Sequence, residues 1–297
     1  MIKRTLFFAT PAYLSTKNEQ LVVNYSDGQA EKRVPIEDIG MVIMEHQQIT
    51  ITNALLEKLV ANKAAVISCN AQHLPVSLLL PLDGHTELNE RLRYQLNASK
   101  PLMKNLWQQT IEAKIQNQAA LLAERGLPNQ RLLHLANSVQ SGDTRNNEAQ
   151  AAAYYWQHLF EDFDFTRGQK GTPPNNLLNY GYAILRAIVA RALIASGLLP
   201  AIGIFHRNKY NAYCLADDIM EPYRPYVDLI VCSLVDSQDD ISELTIEIKK
   251  ELLSVASIDV VIEGKTSPLF VGVSRTTNAL FECFAGISRK MLYPHYG

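Results

Sequence analysis

The chain has 297 residues and a mass of 33.3 kDa, enough for one large domain or two of ordinary size. Hydrophobic residues make up 47% and charged residues 20%, a composition typical of a folded protein rather than a disordered one. The 28 basic and 30 acidic residues give a net charge of −2, so the whole chain lacks the basic excess of many nucleic-acid-binding proteins. No run of about 18 apolar residues predicts a membrane span, and the apolar run ending at Thr10 is too short for a signal peptide. We therefore expect a cytoplasmic protein with no membrane partner.

The chain before the turn cluster at 81–85 has the pattern of a β-rich domain. Short runs of Val, Ile, Leu, Phe and Tyr, separated by turn residues, predict strands at 3–9, 20–25, 41–44, 64–69 and 76–80. Apolar residues at helical spacing predict one helix over 53–60. The turn cluster is the strongest boundary signal, so we predict an N-terminal domain of residues 1–85.

Residues 86–297 have the pattern of a larger, mainly α-helical domain. A 3.6-residue apolar period predicts helices at 88–98, 101–126, 130–138, 145–160, 177–196, 211–235, 241–255 and 269–292. Pro222 and Pro225 predict a kink within the helix 211–235, and Gly197 predicts the end of the helix before it. A short strand is predicted at 260–262. The two halves together indicate an α+β protein.

One long segment carries no acidic residue. Residues 165–216 contain no Asp or Glu, where about five are expected by simple proportion. Its basic residues are Arg167, Lys170, Arg186, Arg191, Arg207 and Lys209. Such a surface suits a polyanion, because neutralising phosphates releases counterions. The alternative is that arginines of a buried helix extend their charged ends to solvent.

Carboxylates and one histidine flank or interrupt this basic stretch. Glu148 lies at a predicted helix start, where the helix dipole favours an acid without any function. Asp218 and Glu221 are three residues apart on one helix face, and His206 follows an apolar run. Each has an ordinary structural explanation when taken alone. Together, one imidazole and two or three carboxylates form a hard ligand set that suits Mg²⁺ or Mn²⁺ better than Zn²⁺.

Three motifs, in order and spacing, match a known family. They are GDTRNNEAQAA at 142–152, LNYGYAIL at 178–185 leading to GLLPAIGIFH at 197–206, and LADDIMEPYRP at 215–225. The chain resembles the CRISPR-associated endonuclease and integrase subunit of the spacer-acquisition complex over essentially its whole length. It is most similar to members from type II systems.

The resemblance implies a dimerising N-terminal β-sandwich-like domain and a helical catalytic domain with one divalent ion. Carried over to this sequence, it assigns Glu148, His206 and Glu221 as catalytic metal ligands, with Asp218 assisting the site. Glu221 replaces the Asp of some relatives, which shifts the carboxylate by about one bond and leaves the ligand geometry open. Arg224 is expected to meet a phosphate, beside Arg167, Lys170, Arg207 and Lys209 of the acid-free stretch.

The resemblance also implies the reaction and the partners. The 3′-hydroxyl of a captured double-stranded DNA fragment attacks a phosphodiester at the edge of a CRISPR repeat, next to the leader. The fragment is joined to the repeat, a 3′-hydroxyl is released on the repeat strand, and the expected proton acceptor is Asp218 or a bound water. The expected partners are a second copy of the chain and a small ferredoxin-like subunit that bridges two dimers. Two alternatives remain at this point: a non-catalytic DNA-binding scaffold and a general nuclease that repairs branched DNA.

Overall fold

The computed structural model describes residues 3–26, 29–82, 85–160, 165–168, 171–237 and 240–296. The fold is mixed α+β, and the chain divides into two compact units, Met1–Thr86 and Glu87–Gly297. The first unit holds two four-stranded sheets and the second is mainly helical.

The first unit combines both strand orientations. Its elements are β1 (Arg4–Phe8), β2 (Ala12–Lys17), β3 (Gln20–Tyr25), β4 (Lys32–Pro35), β5 (Ile39–Met44), β6 (Ile49–Ile51), α1 (Asn53–Ala61), β7 (Ala65–Cys69) and β8 (Pro75–Leu79). In one sheet, ordered β1-β5-β7-β8, the first three strands are parallel and β8 is antiparallel. In the other, ordered β4-β3-β2-β6, the strands β4, β3 and β2 are antiparallel and β6 runs parallel to β2.

Both sheets and α1 contribute to one apolar core. Leu14 and Leu21 of one sheet, Val42 of the other and Leu55 of the helix are buried in it. The hydroxyl of Thr52 accepts a hydrogen bond from the Leu55 amide and so begins α1. The strands β2, β4 and β6 were not predicted from the sequence, because they are short or rich in polar residues; in β2 only alternate positions such as Leu14 are buried.

Most predicted helices of the second unit are present. Its elements are α2 (Leu88–Leu96), α3 (Lys100–Glu124), α4 (Gln130–Asn137), α5 (Asn147–Leu159), α6 (Asn175–Ala195), α7 (Cys214–Met220), α8 (Arg224–Ser237), α9 (Ile246–Leu253), β9 (Asp259–Ile262), β10 (Lys265–Pro268) and α10 (Leu269–Phe284). The predicted kink is a 3₁₀ turn, Glu221–Tyr223, between α7 and α8. Gly197 follows α6 with a φ of 71°, as predicted for the residue that ends this helix.

Two predicted helices are too long. The helix predicted at 241–255 starts only at Ile246, because the Thr245 hydroxyl accepts from the Ile248 amide and caps it. The last helix ends at Phe284 rather than at 292, because Gly286 adopts a φ of 75° and its amide donates to Cys283. The strand β10, which pairs with β9, was also not predicted.

Helix α6 is the core helix of the second unit. It is long and apolar enough to pass a length-and-composition test for a membrane span, but 72% of that window is buried within the protein. At Gly181 the neighbouring helix α8 approaches so closely that a Cβ atom would lie 2.4 Å from Cγ1 of Val227. The glycine therefore sets the distance between these two helices.

We expect Gly181→Ala to lower the free energy of unfolding in urea by about 1–2 kcal/mol, because overpacking outweighs the better helix propensity of alanine. In a Val227→Ala background the obstructing methyl group is gone, and the same change should become neutral or stabilising. An equal loss of stability in both backgrounds would show that the close contact is not the cause.

Candidate metal centre

Helix α3 forms one wall of the candidate site. Met103, Trp107, Lys114 and Gln118 are spaced by four, seven and four residues, so they lie along one stripe of the helix. Trp107 packs against the loop after α6, and Lys114 meets the carboxylates from two other elements. The stripe thus places an aromatic ring and an ammonium group on the same face of one rigid element, about two helical turns apart.

The start of α5 holds Glu148 in position. The side chain of Asp143 accepts hydrogen bonds from the amides of Asn147, at 2.8 Å, and Glu148, at 3.0 Å. Asn146 precedes the helix with a φ of 55°, a conformation that asparagine tolerates better than most residues. The side chain of Asn147 donates to the Leu135 carbonyl at 2.8 Å, which ties this helix start to α4.

Two carboxylates meet at one buried ammonium. Nζ of Lys114 lies 2.7 Å from Oε1 of Glu148 and 2.6 Å from Oε2 of Glu221. Burial disfavours the charged amine, but the charges of Glu221 and Glu148 outweigh it and raise the pKa of Lys114. Burial also disfavours the charged form of Glu221 and by itself would raise its pKa. The charges of Arg224 and Lys114 outweigh burial and lower this pKa to about 2. The contact between Lys114 and Glu221 is therefore an ion pair at neutral pH.

A second cation holds the other oxygen of Glu221. Nε of Arg224 donates to Oε1 of Glu221 at 2.9 Å, and its guanidinium carbon lies 4.4 Å from the centre of the Tyr182 ring. The hydroxyl groups of Tyr182 and Tyr155 donate to the buried Asp228, at 2.5 and 2.8 Å. Burial raises the pKa of Asp228 to about 6. Arg224 is thus held by its hydrogen bond to Glu221 and by its packing on Tyr182, which belongs to this buried network.

Asp218 orients His206. Its carboxylate accepts from Nδ1 of His206 at 2.5 Å and from the backbone amides of Phe205 and His206 at 3.0 and 3.2 Å. The hydrogen bond to Asp218 raises the pKa of His206, and the charges of Glu221 and Glu148 act in the same direction against burial. Burial raises the pKa of Asp218 itself, with the hydrogen bond from His206 acting against it. With Nδ1 engaged, Nε2 is the nitrogen left for a ligand.

Close packing shapes the loop that carries His206. Phe205 stacks on Trp107 with ring centres 4.2 Å apart, and His206 meets the Trp107 ring edge-on at 5.6 Å. A Cβ atom on Gly203 would lie 2.7 Å from an Asp218 oxygen and 2.5 Å from the His206 carbonyl oxygen. Glycine at this position therefore allows the loop to fold over Asp218.

The structure brings the sequence-predicted ligands into one region without joining them at a single point. Glu148 and Glu221 meet through Lys114, and His206 is near enough for both charges to affect its pKa. Within the described residues, no three His, Cys, Asp or Glu side chains are grouped closely enough, as they stand, to hold an ion. The assignment of Glu148, His206 and Glu221 as ligands stays a prediction.

The residues nevertheless fit a divalent cation. The buried Oε2 of Glu221 has the ionic contact with Lys114 but no well-oriented hydrogen-bond donor among the described residues. The space between the carboxylates already holds the positive charge of Lys114, and His206 is near enough for both carboxylate charges to raise its pKa. The candidate donors are thus carboxylate oxygens and one imidazole. This donor set is the one that Mg²⁺ and Mn²⁺ prefer.

Several basic residues of the acid-free stretch have partners inside the protein. Arg186 pairs with Asp217 at 2.6 Å, and Arg191 packs on Phe270 with its pKa lowered to about 10 by burial. Arg167 donates to the side chains of Asn175 and Asn179 and lies over Tyr182. Lys170 lies outside the described residues. The alternative, in which arginines of a buried helix reach solvent, therefore fits Arg186 of α6, which is exposed, but not Arg191, which is half-buried against Phe270.

Arg207 and Lys209 are different, because both are exposed beside His206. They line an open groove of about 690 Å³ together with Lys100, His206 and Tyr210. Tyr210 is 85% exposed and Lys209 lies over its ring. Basic and aromatic side chains therefore line the groove next to the His206 imidazole.

The sequence reasoning missed Lys114 and Trp107. Lys114 lies between Ile111 and Ile115 on a helix that is largely buried. The sequence did carry one signal, a lysine at a position of the helix where apolar residues face inward. A buried lysine requires a partner of opposite charge, so this position indicated a buried ion pair. Its partners lie 34 and 107 residues away in the chain, so the sequence did not identify them.

Comparisons with known proteins give a consistent result. A family model described as CRISPR associated protein Cas1 matches residues 6–253. The CRISPR-associated endonuclease Cas1 of Neisseria meningitidis serogroup C (strain 8013) is 42% identical over 265 residues, which are 89% of this chain and 86% of that protein.

Two solved structures share the fold. A casposase bound to integration product has a TM-score of 0.79 at 20% identity, covering 98% of this chain and 92% of the casposase chain. A chain of a Cas6-RT-Cas1–Cas2 complex has a TM-score of 0.72 at 19% identity, covering 97% of this chain and 35% of the longer one. At these identities the likeness concerns the fold.

The contact between His206 and Asp218 predicts a titration. In protein kept in EDTA, we expect the His206 imidazole to titrate above its ordinary pKa of about 6.5, measured by NMR and assigned with His206→Gln. Asp218→Asn removes the negative charge and should lower this pKa. Asp217→Asn, a change of the adjacent acid that pairs with Arg186, is the matched control and should leave it unchanged. A His206 pKa that is the same in wild type and Asp218→Asn would contradict the pairing.

Proposed function

Since this chain belongs to the CRISPR-associated Cas1 protein family, we propose that it is a DNA endonuclease and integrase that inserts captured DNA fragments as new spacers into a CRISPR array. The observation that carries the proposal is a buried carboxylate, Glu221, and a half-buried one, Glu148, that meet at one cation, together with an exposed basic groove that is lined by His206. Phosphodiester chemistry needs both parts, a centre that stabilises charge and a surface that binds the polyanion.

We propose Glu148, His206 and Glu221 as the ligands of Mg²⁺ or Mn²⁺. A divalent ion bound there acts as a Lewis acid on a phosphodiester and helps orient the attacking oxygen. Asp218 is buried and its carboxylate is engaged with the His206 loop, so its proposed role is to position His206 rather than to accept a proton from DNA. Arg224 holds Glu221 in the same way.

The groove supplies the proposed DNA contacts. Arg207 directly follows His206 and Lys209 lies three residues after it, both exposed, so phosphates bound to them lie close to the reacting centre. Arg167 and Arg224 already donate to Asn175 and Glu221 and line a different cavity, one that includes Glu221. Arg207 and Lys209 are therefore the stronger candidates.

The N-terminal unit has a separate proposed role. Two sheets with a shared core support a β-sandwich-like domain, and we propose that it joins two copies of the chain. The fold is shared with a chain of a Cas6-RT-Cas1–Cas2 complex, which supports the proposal of a small ferredoxin-like partner between two dimers. The proposed partners also include captured double-stranded DNA and the leader–repeat junction. We propose that the protein works in the cytoplasm.

Variants of the two parts of the site are expected to fail in different ways. Glu148→Ala and His206→Ala should lower strand transfer by orders of magnitude with nearly unchanged DNA affinity, because each removes a proposed ligand. Arg207→Ala and Lys209→Ala should weaken DNA binding and reduce the slope of log K against log salt by about one each. One DNA substrate with a leader–repeat target, measured across a salt series, gives both quantities.

Two controls make this experiment decisive. Lys250→Ala removes an exposed lysine of α9 that does not line the groove, and it should change neither quantity. Strand transfer that remains at the wild-type rate in Glu148→Ala would contradict the proposed ligand set, and wild-type protein that binds DNA without any strand transfer would favour a non-catalytic scaffold. Equal activity on targets with and without the leader–repeat junction would favour a general branched-DNA nuclease.

A further inference from the structure

We propose that Lys114 is a built-in competitor of the divalent ion: its ammonium balances Glu148 and Glu221 when no ion is bound, and ion binding drives it into a neighbouring cavity. The inference rests on the proposed metal site. It adds Lys114, which is not one of the proposed ligands, and a coupling between ion binding and the movement of its ammonium. It concerns how the ion gains access to the carboxylates, and it makes Lys114 a positioning residue.

The first step of the argument is which oxygens the ammonium contacts. Nζ of Lys114 lies 2.6 Å from Oε2 of Glu221, while Arg224 holds Oε1 of the same carboxylate. Glu221 can therefore offer Oε2 to an ion more readily than Oε1. Lys114 also contacts Oε1 of Glu148, so one amine covers an oxygen of each proposed ligand. An ion and the ammonium compete for the same atoms.

The second step is what the ammonium does without an ion. The side chains of Lys114 and Glu221 are 10% and 6% exposed, so solvent screens their charges weakly. Removing one partner of a buried ion pair leaves an uncompensated charge and is strongly destabilising. Lys114 thus keeps two carboxylates from α5 and from the turn after α7 close together.

The third step is where the ammonium goes. A cavity of about 330 Å³ adjoins the site, and its lining includes Lys114, Gln118 and the carboxylates of Glu221 and Asp228 beside the two cations Arg167 and Arg224. Oε1 of Gln118, one helical turn after Lys114, is buried and has no hydrogen-bond donor among the described residues. A buried acceptor without a donor is uncommon in native proteins. Its place in the lining of this cavity offers the displaced ammonium a partner.

The coupling predicts a measurable change in metal affinity. Replacing Lys114 by a neutral residue removes both the competitor and its positive charge, so the carboxylates should bind Mn²⁺ at least about tenfold more tightly. The same change should lower the thermal midpoint in EDTA, because the carboxylates then lack their cation. A merely structural lysine would lower stability without raising affinity.

The experiment is a Mn²⁺ titration by calorimetry on the full-length protein, with thermal unfolding in EDTA measured in parallel. The variants are Lys114→Met and Lys114→Gln, the second of which keeps a hydrogen-bond donor. Lys104→Met is the matched control, because it removes an exposed lysine from the same helix. Mn²⁺ affinity that rises in both Lys114 variants and not in Lys104→Met supports the inference; affinity that is unchanged or lower in them overturns it.

Gln118→Leu tests the destination while leaving Lys114 and all proposed ligands in place. It removes an acceptor without a donor, so stability in EDTA should not fall, yet Mn²⁺ should bind several-fold more weakly because the displaced ammonium loses its partner. Unchanged affinity would overturn the cavity as the destination. This variant also keeps the inference testable if the Lys114 variants do not fold.

Glu148→Gln separates this inference from the proposed function. If Mn²⁺ binds wild type and Glu148→Gln equally, the proposed ligand set is wrong, whatever the Lys114 variants do. If Glu148→Gln loses Mn²⁺ binding while Lys114→Met binds like wild type, the metal site stands and the competitor role of Lys114 is wrong.

Discussion

The balance of charge around Glu221 is the constraint on which the rest of the second unit depends. This carboxylate is buried, and it is ionised only because Arg224 and Lys114 each bring a positive charge to one of its oxygens. Burying a carboxylate without such partners costs several kcal/mol, so each partner must itself be held firmly. The structure meets this requirement with one long helix on one side and a buried tyrosine–aspartate network on the other.

Helix α3 carries the first of these supports and links distant parts of the unit. Besides Lys114, its Asn117 donates to the carbonyls of Pro222, at 2.7 Å, and Pro294, at 3.0 Å, and accepts from the Tyr296 amide. The turn that contains Glu221 is thus fastened to the same helix that supplies the ammonium. Helix α3 therefore sets both the charge beside Glu221 and the backbone position of its turn.

The slightly acidic chain can act on DNA because charge is sorted by location. Basic residues of α6 are used inside the protein, where Arg186 meets Asp217 and Arg191 packs on Phe270. Arg207 and Lys209, in contrast, lie exposed in the groove beside His206. The net charge of the whole chain therefore does not indicate the charge of this groove, and the groove is the surface that matters for binding a polyanion.

What the sequence predicted depended on whether the signal was local. Helical periodicity, Gly197 and the proline kink are local, and the structure contains them. The strands β2 and β4 are short and rich in polar residues, so they do not stand out in the sequence, and Gly286 was not recognised as a helix end. The motifs located Glu148, His206 and Glu221, but not the buried lysine between two of them.

The long-range partners explain that gap. The acid-free stretch indicated a basic surface, yet Asp217, Asn175 and Phe270 hold some of its arginines, and only the fold shows which ones. A spacing of 107 residues between Lys114 and Glu221 leaves no pattern in a single sequence. Contacts of this kind require the tertiary structure.

The most direct test of the account is the anomalous diffraction of a crystal soaked in Mn²⁺. The account predicts one strong anomalous peak among the side chains of Glu148, His206 and Glu221, with the Lys114 ammonium turned away from both carboxylates. An anomalous peak elsewhere, or three side chains that point to different surfaces while Lys114 still bridges Glu148 and Glu221 at saturating Mn²⁺, would contradict it.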